Sequence, residues 1–191
     1  MMPARSDPIG ALLAVGVALS AVLLASPRMA ADQGPTVAPG AAVKAAFLYN
    51  FAKFVEWPEL RPGAPIVTCI VGDEAMAAAF VETVRSRQID GHGLPLQPAE
   101  DVATWPSCCL LFIGEAGVRR SAVGLQGLTS LPVLTVSDDR GFSMAGAIIA
   151  LYVEDGRMRF SINIDAAERS GLRLSSRLLG LATIVRDGKR P

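Results

Sequence analysis

Three cysteines are the residues of this chain whose type and spacing most readily permit chemistry. Cys69 lies in a β-branched apolar run, and Cys108 and Cys109 open a second apolar run further along the chain. Cysteines in neighbouring strands can come within the distance that a disulfide requires. One bridge from Cys69 to either of the adjacent cysteines would leave one thiol free. The alternative is three buried thiols that behave as small apolar side chains.

Two turns that carry carboxylates could bind a ligand. Asp73 follows the first predicted strand, and Asp138 follows a later one. In an open α/β sheet the carboxyl ends of the parallel strands meet at one edge, where ligands bind. We therefore assign Asp73 and Asp138 as candidate ligand-binding residues. A cation bound by Asp138 and Asp139 is disfavoured, because two loop carboxylates are usually just solvated.

The residue types that catalysis needs do not form a recognisable set. The one histidine, His92, lies between two glycines in a predicted loop. There is no Gly-x-Ser-x-Gly elbow and no phosphate-binding loop, and the turn at Gly72 lacks the further glycines of a dinucleotide fingerprint. One histidine and three cysteines also leave little from which to build a metal site. We predict a protein that is not an enzyme and has neither cofactor nor metal.

Composition excludes further classes of protein. The chain has 191 residues, room for one ordinary domain, and its 18 basic and 18 acidic residues cancel. A dedicated nucleic-acid-binding protein needs a basic surplus to displace counterions from phosphates, so no nucleic-acid partner is expected. A chain that is 51% hydrophobic and 19% charged is expected to fold rather than to be disordered.

The N-terminus has the pattern of an export signal. Arg5 precedes a charge-free stretch with an apolar core from Ile9 to Ala25, and small residues follow as far as Ala31. This pattern predicts a cleaved signal peptide over residues 1–31, although the apolar run is also near the lower length limit of a membrane anchor. Residues 32–42 are expected to form a flexible leader and residues 43–187 the folded, periplasmic domain.

The elements that must position these residues alternate between helices and strands. Val43, Phe47, Phe51 and Phe54 recur at helical spacing, and Pro58 should end this helix after Trp57. We expect its phenylalanines to lie in the core rather than in an interface. Apolar runs predict buried strands over 66–71, 109–113 and 133–136, a weak strand over 94–96, and intervening helices.

The last third of the chain has a different pattern. Strands over 147–153 and 157–164 flank Asp155-Gly156, which suits a two-residue hairpin turn. A final helix, capped by Ser175 or Ser176, is predicted to continue through Val185. The predicted fold is a single-domain α/β sandwich, with a mostly parallel sheet flanked by helices and an antiparallel C-terminal edge hairpin.

The second hairpin strand offers a candidate surface for a protein partner. Arg159, Ser161 and Asn163 alternate with apolar residues, so they share one face, and Arg169 and Arg173 follow in the next turn. The alternative is a solvated strand face in which Asn163 only satisfies nearby backbone groups.

Several segments, in order, resemble a known family. They are KAAFLYNFAKFVEWP, IVTCIVGDE, CCLLFIG, VLTVSDDRGF and RFSINIDAAERSGLRLSSRLLGLA. Over residues 42–186 the chain is similar to the YfiR family of periplasmic regulators. The resemblance implies a homodimer that represses an inner-membrane diguanylate cyclase by binding its periplasmic sensor portion. It also implies an outer-membrane lipoprotein that sequesters the regulator.

The resemblance extends to individual positions. Cys69 and Cys108 match a disulfide that links two strands in the family, whereas Cys109 has no counterpart. Ser143 and Ala150 occupy the positions of a second cysteine pair, which is therefore absent here. Two positions that contact the partner in the family also have counterparts here. One corresponds to Ser161, where the family has an acidic residue, and the other falls near Ala167.

These observations leave two functions from different classes. The first is a periplasmic regulatory protein that acts on a diguanylate cyclase or another membrane sensor. The second is a periplasmic small-ligand sensor or binding protein, with its ligand near Asp73 and Asp138, that acts on another membrane receptor. The two could coexist, with ligand binding setting the affinity for the partner.

Overall fold

The structure is a computed structural model that describes residues 39–187, apart from the side chains of residues 39, 119, 120, 122 and 123. The predicted signal peptide and most of the predicted leader lie outside the described residues. The α-helices of the described chain are Pro39–Lys53 (α1), Glu74–Val84 (α2), Glu115–Gln126 (α3), Ile164–Arg169 (α4) and Ser176–Leu179 (α5). Two 3-10 helices cover Val102–Ser107 and Phe142–Ala145. None of the helices found between residues 39 and 187 is long and apolar enough to cross a membrane.

The strands vary from two to seven residues in length. In chain order they are Val55–Glu56 (β1), Thr68–Val71 (β2), Gln88–Ile89 (β3), His92–Gly93 (β4), Leu96–Gln97 (β5), Leu110–Ile113 (β6), Leu134–Ser137 (β7), Ile149–Glu154 (β8), Arg157–Asn163 (β9), Arg173–Leu174 (β10) and Thr183–Val185 (β11). Two pairs form small separate ladders, β1 with β10 and β3 with β4.

The remaining strands form one seven-stranded sheet in the order β11-β9-β8-β7-β6-β2-β5. Within it β8 and β9 are antiparallel, and every other neighbouring pair is parallel. The hairpin turns at Asp155 and Gly156, whose φ angles of 51° and 70° suit a two-residue turn. The predicted α/β class, mostly parallel sheet and antiparallel hairpin are confirmed. The hairpin is not outermost, however, because β11 pairs with β9 beyond it.

The central strand β6 shows why the sheet needs helices on both faces. Leu110 and Phe112 point into a core beneath α1 and α2, whereas Leu111 and Ile113 point into a second core on the opposite face. All four side chains are fully buried. A continuous apolar run is therefore required here, as in other parallel strands that are covered on both faces.

Helix α1 begins at Pro39, so four residues of the predicted leader are helical. Proline suits the first turn of a helix, where its missing N–H has no intrahelical partner. The buried stripe of α1 includes Ala45, Leu48 and Phe51, while Phe47 and Phe54 are half-buried. The core assignment therefore holds fully for Phe51 and only in part for the other two phenylalanines.

The predicted C-terminal helix is wrong after its first turn. Ser175 caps α5 by accepting a hydrogen bond from the N–H of Leu178 at 3.2 Å, as predicted. The helix nevertheless ends at Leu179, and Thr183–Val185 forms strand β11. All three residues of this strand are β-branched and all three pair with β9, so pairing with the sheet prevails over continuation of the helix.

Candidate functional site

The two predicted ligand residues meet at the carboxyl edge of the sheet, together with a lysine from α1. Lys44 Nζ lies 3.6 Å from Asp73 Oδ2 and forms a closer ion pair with Asp138. The three side chains are 23%, 21% and 16% exposed, respectively. We call this group the Lys44 cluster. It fixes the N-terminal half of α1 to the ends of β2 and β7.

Both carboxylates of the Lys44 cluster also close the ends of helices. Asp73 Oδ1 accepts a hydrogen bond from the N–H of Met76 at 2.9 Å and so caps α2. Asp138 Oδ1 accepts one from the N–H of Glu115 at 2.6 Å, at the start of α3. The N-cap of α3, Gly114, offers no side chain for this purpose, so Asp138 supplies the missing acceptor from another loop. The acceptors of this edge are thus used within the fold.

The charge of Lys44 is held by these neighbours. Burial alone would lower its pKa, but the hydrogen bond and the charge of Asp138, with a smaller contribution from Asp73, raise the pKa above its ordinary value of 10.5. Lys44 is therefore a permanent cation at physiological pH. It neutralises part of the negative charge that a cationic ligand would need.

The predicted polar face of β9 is mostly covered. Ser161 and Asn163 are buried, at 5% and 0% exposure, and only Arg159 of the three residues is exposed. The expectation of an exposed polar face is therefore wrong for Ser161 and Asn163. Strand β11 on one side and the 3-10 helix Phe142–Ala145 above them enclose both side chains.

Asn163 has a structural role at the centre of this region. Its amide group donates to the carbonyl of Ser143 at 2.9 Å and to Asp187 Oδ1 at 2.8 Å, while its oxygen accepts from the N–H of Ala166 at 3.0 Å. It therefore caps α4 and holds the C-terminal end of the described chain. Two of these three contacts are with backbone groups, as expected if Asn163 serves the fold rather than a partner.

Asp187 completes the same network from the other side. Its carboxylate pairs with Arg169 as well as with Asn163, and Asp165 pairs with Arg186 at 2.6 Å. The hydrogen bonds from Asn163 and Arg169 lower the pKa of Asp187 below its ordinary value of 3.8. Arg169, a predicted partner contact, is thus exposed but already paired within the chain.

The other predicted contacts divide by exposure. Ala167 is 2% exposed and packs in the core, so it cannot itself present a surface. Arg173 is exposed on β10, as Arg159 is on β9. Of the six proposed partner residues, the three arginines reach solvent.

The positions at which the chain departs from the family's pattern cluster together. Ser143 and Ser161 are joined by a hydrogen bond between their hydroxyls at 2.8 Å, and Ala150 lies opposite Ser161 in the β8–β9 ladder. Both serines are buried, so their hydroxyls need a partner, and each serves the other. A buried hydrogen bond of Ser143 thus lies beside Ala150, where the resemblance implies a second cysteine pair.

A disulfide joins Cys69 of β2 to Cys108, just before β6, as the resemblance implies. Both cysteines are buried on the sheet face opposite α1, beside Trp105. Cys109 is free and points to the α1 side of the sheet, where burial raises the pKa of its thiol. Adjacent residues of a strand face opposite ways, and this geometry separates Cys109 from the bridge.

An apolar groove between α1 and the α5 region is a feature that the sequence interpretation missed. It has a volume of 430 Å³ and is lined by Val43, Ala46, Phe47, Asn50, Phe51, Phe54, Phe160, Leu178 and Leu181. We call it the α1–α5 groove. Leu181 is 72% exposed and Val43 is 44% exposed. The excess of apolar residues on α1, more than one buried stripe requires, was the available signal for this groove.

Lys44 and Asp187 were also missed as parts of the two polar networks. Lys44 stands three residues after Ala41 and four before Leu48, so it borders the buried stripe of α1. That position was a signal of partial burial, but helical spacing does not identify the loops that cover it.

The chain is similar to a solved structure and matches a family model. A solved structure of a conserved domain protein from Vibrio cholerae O1 biovar El Tor is similar, with a TM-score of 0.46 and 15% sequence identity. The similarity covers 75% of this chain and 59% of that one. The model of the YfiR/HmsC-like family matches residues 41–183, from α1 to the start of β11. The chain therefore belongs to the YfiR/HmsC-like family.

Proposed function

We propose that this protein is a periplasmic regulatory protein that represses a membrane-bound diguanylate cyclase by binding its periplasmic sensor portion. The observation that carries the proposal is the family match, which extends over residues 41–183 and thus over nearly all of the described domain. A cleaved signal peptide over residues 1–31 would deliver the mature protein to the compartment where the family acts.

The geometry of the sheet edge favours a protein partner over a small ligand. Asp73 and Asp138 are neutralised in part by Lys44 and are hydrogen-bonded to the starts of α2 and α3. A ligand at this edge would have to displace hydrogen bonds on which the fold depends. Small-ligand sensing at Asp73 and Asp138 is therefore the second candidate, supported by their proximity but not by free acceptors.

The exposed arginines are the polar contacts that we propose for the partner. Arg159 and Arg173 are exposed and have no ion pair with any residue between 39 and 187, and Arg169 could exchange Asp187 for a partner carboxylate. We also propose that the protein forms a homodimer and is captured by an outer-membrane lipoprotein, as the family resemblance implies. If the membrane partner is a different sensor protein and not a cyclase, this protein would still be a periplasmic regulator.

A crosslinked pull-down from native membranes tests the proposal. The tagged mature protein is expected to recover an inner-membrane protein with a cytoplasmic cyclase domain. Deletion of the gene for the regulator described here should raise the cellular concentration of cyclic-di-GMP. Matched cells that carry Arg159→Glu and Arg173→Glu should recover less of it. A histidine kinase or a transporter as the sole partner would contradict the cyclase. If no membrane protein is recovered, the ligand-sensor function gains support, and a thermal shift that Asp138→Ala abolishes would establish it.

A further inference from the structure

The α1–α5 groove has a floor of packed aromatic rings and exposed apolar walls. The ring centroids of Phe51 and Phe160 lie 5.1 Å apart, and that of Phe47 lies 5.9 Å from Phe51 and 6.1 Å from Phe160. Phe51 and Phe160 are buried beneath, whereas Val43 and Leu181 rise to solvent on either side. A concave apolar surface of this kind suits a partner that inserts a row of apolar side chains, and it suits a partner with a flat surface less well.

The long axis of the groove follows α1. Its lining residues on that helix extend from Val43 to Phe51, with Phe54 just after the helix. At about 1.5 Å per residue this is a strip of roughly 15 Å, which matches about three turns of a second helix. Helices recognised in grooves present apolar residues at i, i+3 or i+4 and i+7, and this spacing fills a strip of that length.

The charged side chains next to the groove lining are mostly positive. Residues 39–55 and 170–185, which supply α1 and the α5 region, contain lysines and arginines but no acidic residue, and Glu56, two positions after Phe54, is an exposed acid at one end. Lys53 lies about two helical turns after Ala46, which lines the groove, and Arg177 precedes Leu178, which also lines it. Both are exposed. The rim therefore favours an occupant that carries negative charge beside its apolar face.

We infer that the α1–α5 groove binds a short amphipathic helix with acidic residues flanking its apolar face, supplied by the periplasmic portion of the membrane partner. The inference rests on the proposed function for the source of the helix. It goes beyond it in placing the principal contact on α1 and the α5 region, away from the buried Ser161 and Ala167. The helix would cover Leu181 and Val43, and its carboxylates would lie near Lys53 and Arg177.

Site-specific photocrosslinking in the native cells tests this inference. The crosslinking amino acid p-benzoylphenylalanine is placed at Val43 or Leu181, and at Val153 as a matched control. Val153 is 64% exposed on the hairpin and does not line the groove. The groove positions should capture a periplasmic segment of a membrane protein at least about tenfold more efficiently than the control. The captured peptide should have apolar residues at helical spacing and more acidic than basic residues.

Charge variants provide the second readout. Lys53→Glu combined with Arg177→Glu should lower the crosslink yield about tenfold without changing the melting temperature, because exposed rim charges affect association rather than folding. Arg61→Glu, an exposed cation of the loop after β1, is the matched control and should leave the yield unchanged.

The other outcomes separate this inference from the proposed function. Recovery of a cyclase through the affinity tag, without crosslinks from the groove, would overturn the inference and leave the proposed function standing. Groove crosslinks to an acidic helix of a membrane protein without a cyclase domain would support the inference and contradict the cyclase. Crosslinks only to a second copy of this chain, or cosedimentation with phosphatidylglycerol vesicles that the groove variants abolish, would overturn it in favour of those occupants.

Discussion

Lys44 gives a structural role to the edge of the sheet at which the sequence predicts a ligand, because it pairs there with Asp73 and Asp138. Asp73 and Asp138 lie at one edge of the sheet because the carboxyl ends of parallel strands share that edge. Their chemistry could not be predicted in the same way, because it depends on a lysine from a helix far away in the sequence. The distance in sequence between Lys44 and Asp138, 94 residues, shows how non-local this contact is.

Lys44→Met tests the structural role of the cluster. The variant keeps the apolar stem but leaves two neighbouring carboxylates without their cation, so the free energy of unfolding should fall by about 1–3 kcal/mol. Urea unfolding at pH 7 measures this change. Lys53→Met, an exposed lysine of the same helix, should cost less than about 0.5 kcal/mol. Equal effects of the two substitutions would contradict the role of the cluster.

The raised pKa of Lys44 predicts how the difference in stability between the wild type and Lys44→Met depends on pH. A cation whose pKa is higher in the folded state stabilises the fold fully below the pKa of the unfolded chain, 10.5, and this contribution is lost as the pH rises through the folded value. The difference between wild type and Lys44→Met should therefore be constant from pH 7 to pH 10 and shrink above it. A difference that shrinks already at neutral pH would contradict the assignment.

At the scale of elements, the C-terminal strand β11 is where sequence interpretation and structure differ most. Local pattern favours a helix from Ser176 onwards, and the first turn is helical. What decides the rest is pairing with β9 and the network around Asn163 and Asp187, which hold β11 against the sheet. Such contacts join residues about twenty positions apart, so propensity and periodicity within a short window could not reveal them.

Asp187→Asn tests whether this network holds β11 in place. The pKa of Asp187 is lowered in the folded state, so its charge contributes stability above pH 3.8, and that contribution is lost as the pH falls further through the folded value. Between pH 5 and pH 2.5 the stability of the wild type should fall more steeply than that of the variant. Chemical unfolding across this range measures the slopes.

The control for this prediction is Glu168→Gln on α4, which removes another exposed carboxylate that has no place in the Asn163 network. It should retain the wild-type slope over the same range. The protection factors of the β11 amides, which correct for the slower intrinsic exchange at low pH, should also fall in the wild type as the pH is lowered, because local opening of this strand precedes global unfolding. Parallel slopes for wild type and Asp187→Asn would show that the network does not hold β11.

At the scale of the whole molecule, the sheet separates the α1–α5 groove from the disulfide. The face beneath α1 carries the α1–α5 groove, and the opposite face carries the disulfide and Trp105. The fold class, the hairpin and the buried strands could be predicted because each follows from a pattern within a few residues. The groove could not, because it arises from where β11 and α5 leave α1 uncovered.

The disulfide on the far face should therefore contribute to stability without shaping the groove. It closes a loop with a sequence separation of 39 residues, and loop-closure entropy gives about 4 kcal/mol for a loop of that length. Cys69→Ala combined with Cys108→Ala should lower the free energy of unfolding by this amount, and dithiothreitol should have the same effect on the wild type. Cys109→Ser, which alters a thiol outside the bridge, is the control: it keeps the disulfide and should lose the same stability as the wild type when dithiothreitol is added. Photocrosslinking from Leu181 should persist in the folded double variant, because the groove depends on the opposite core. Loss of that crosslink in protein that is still folded would mean that the two faces are coupled.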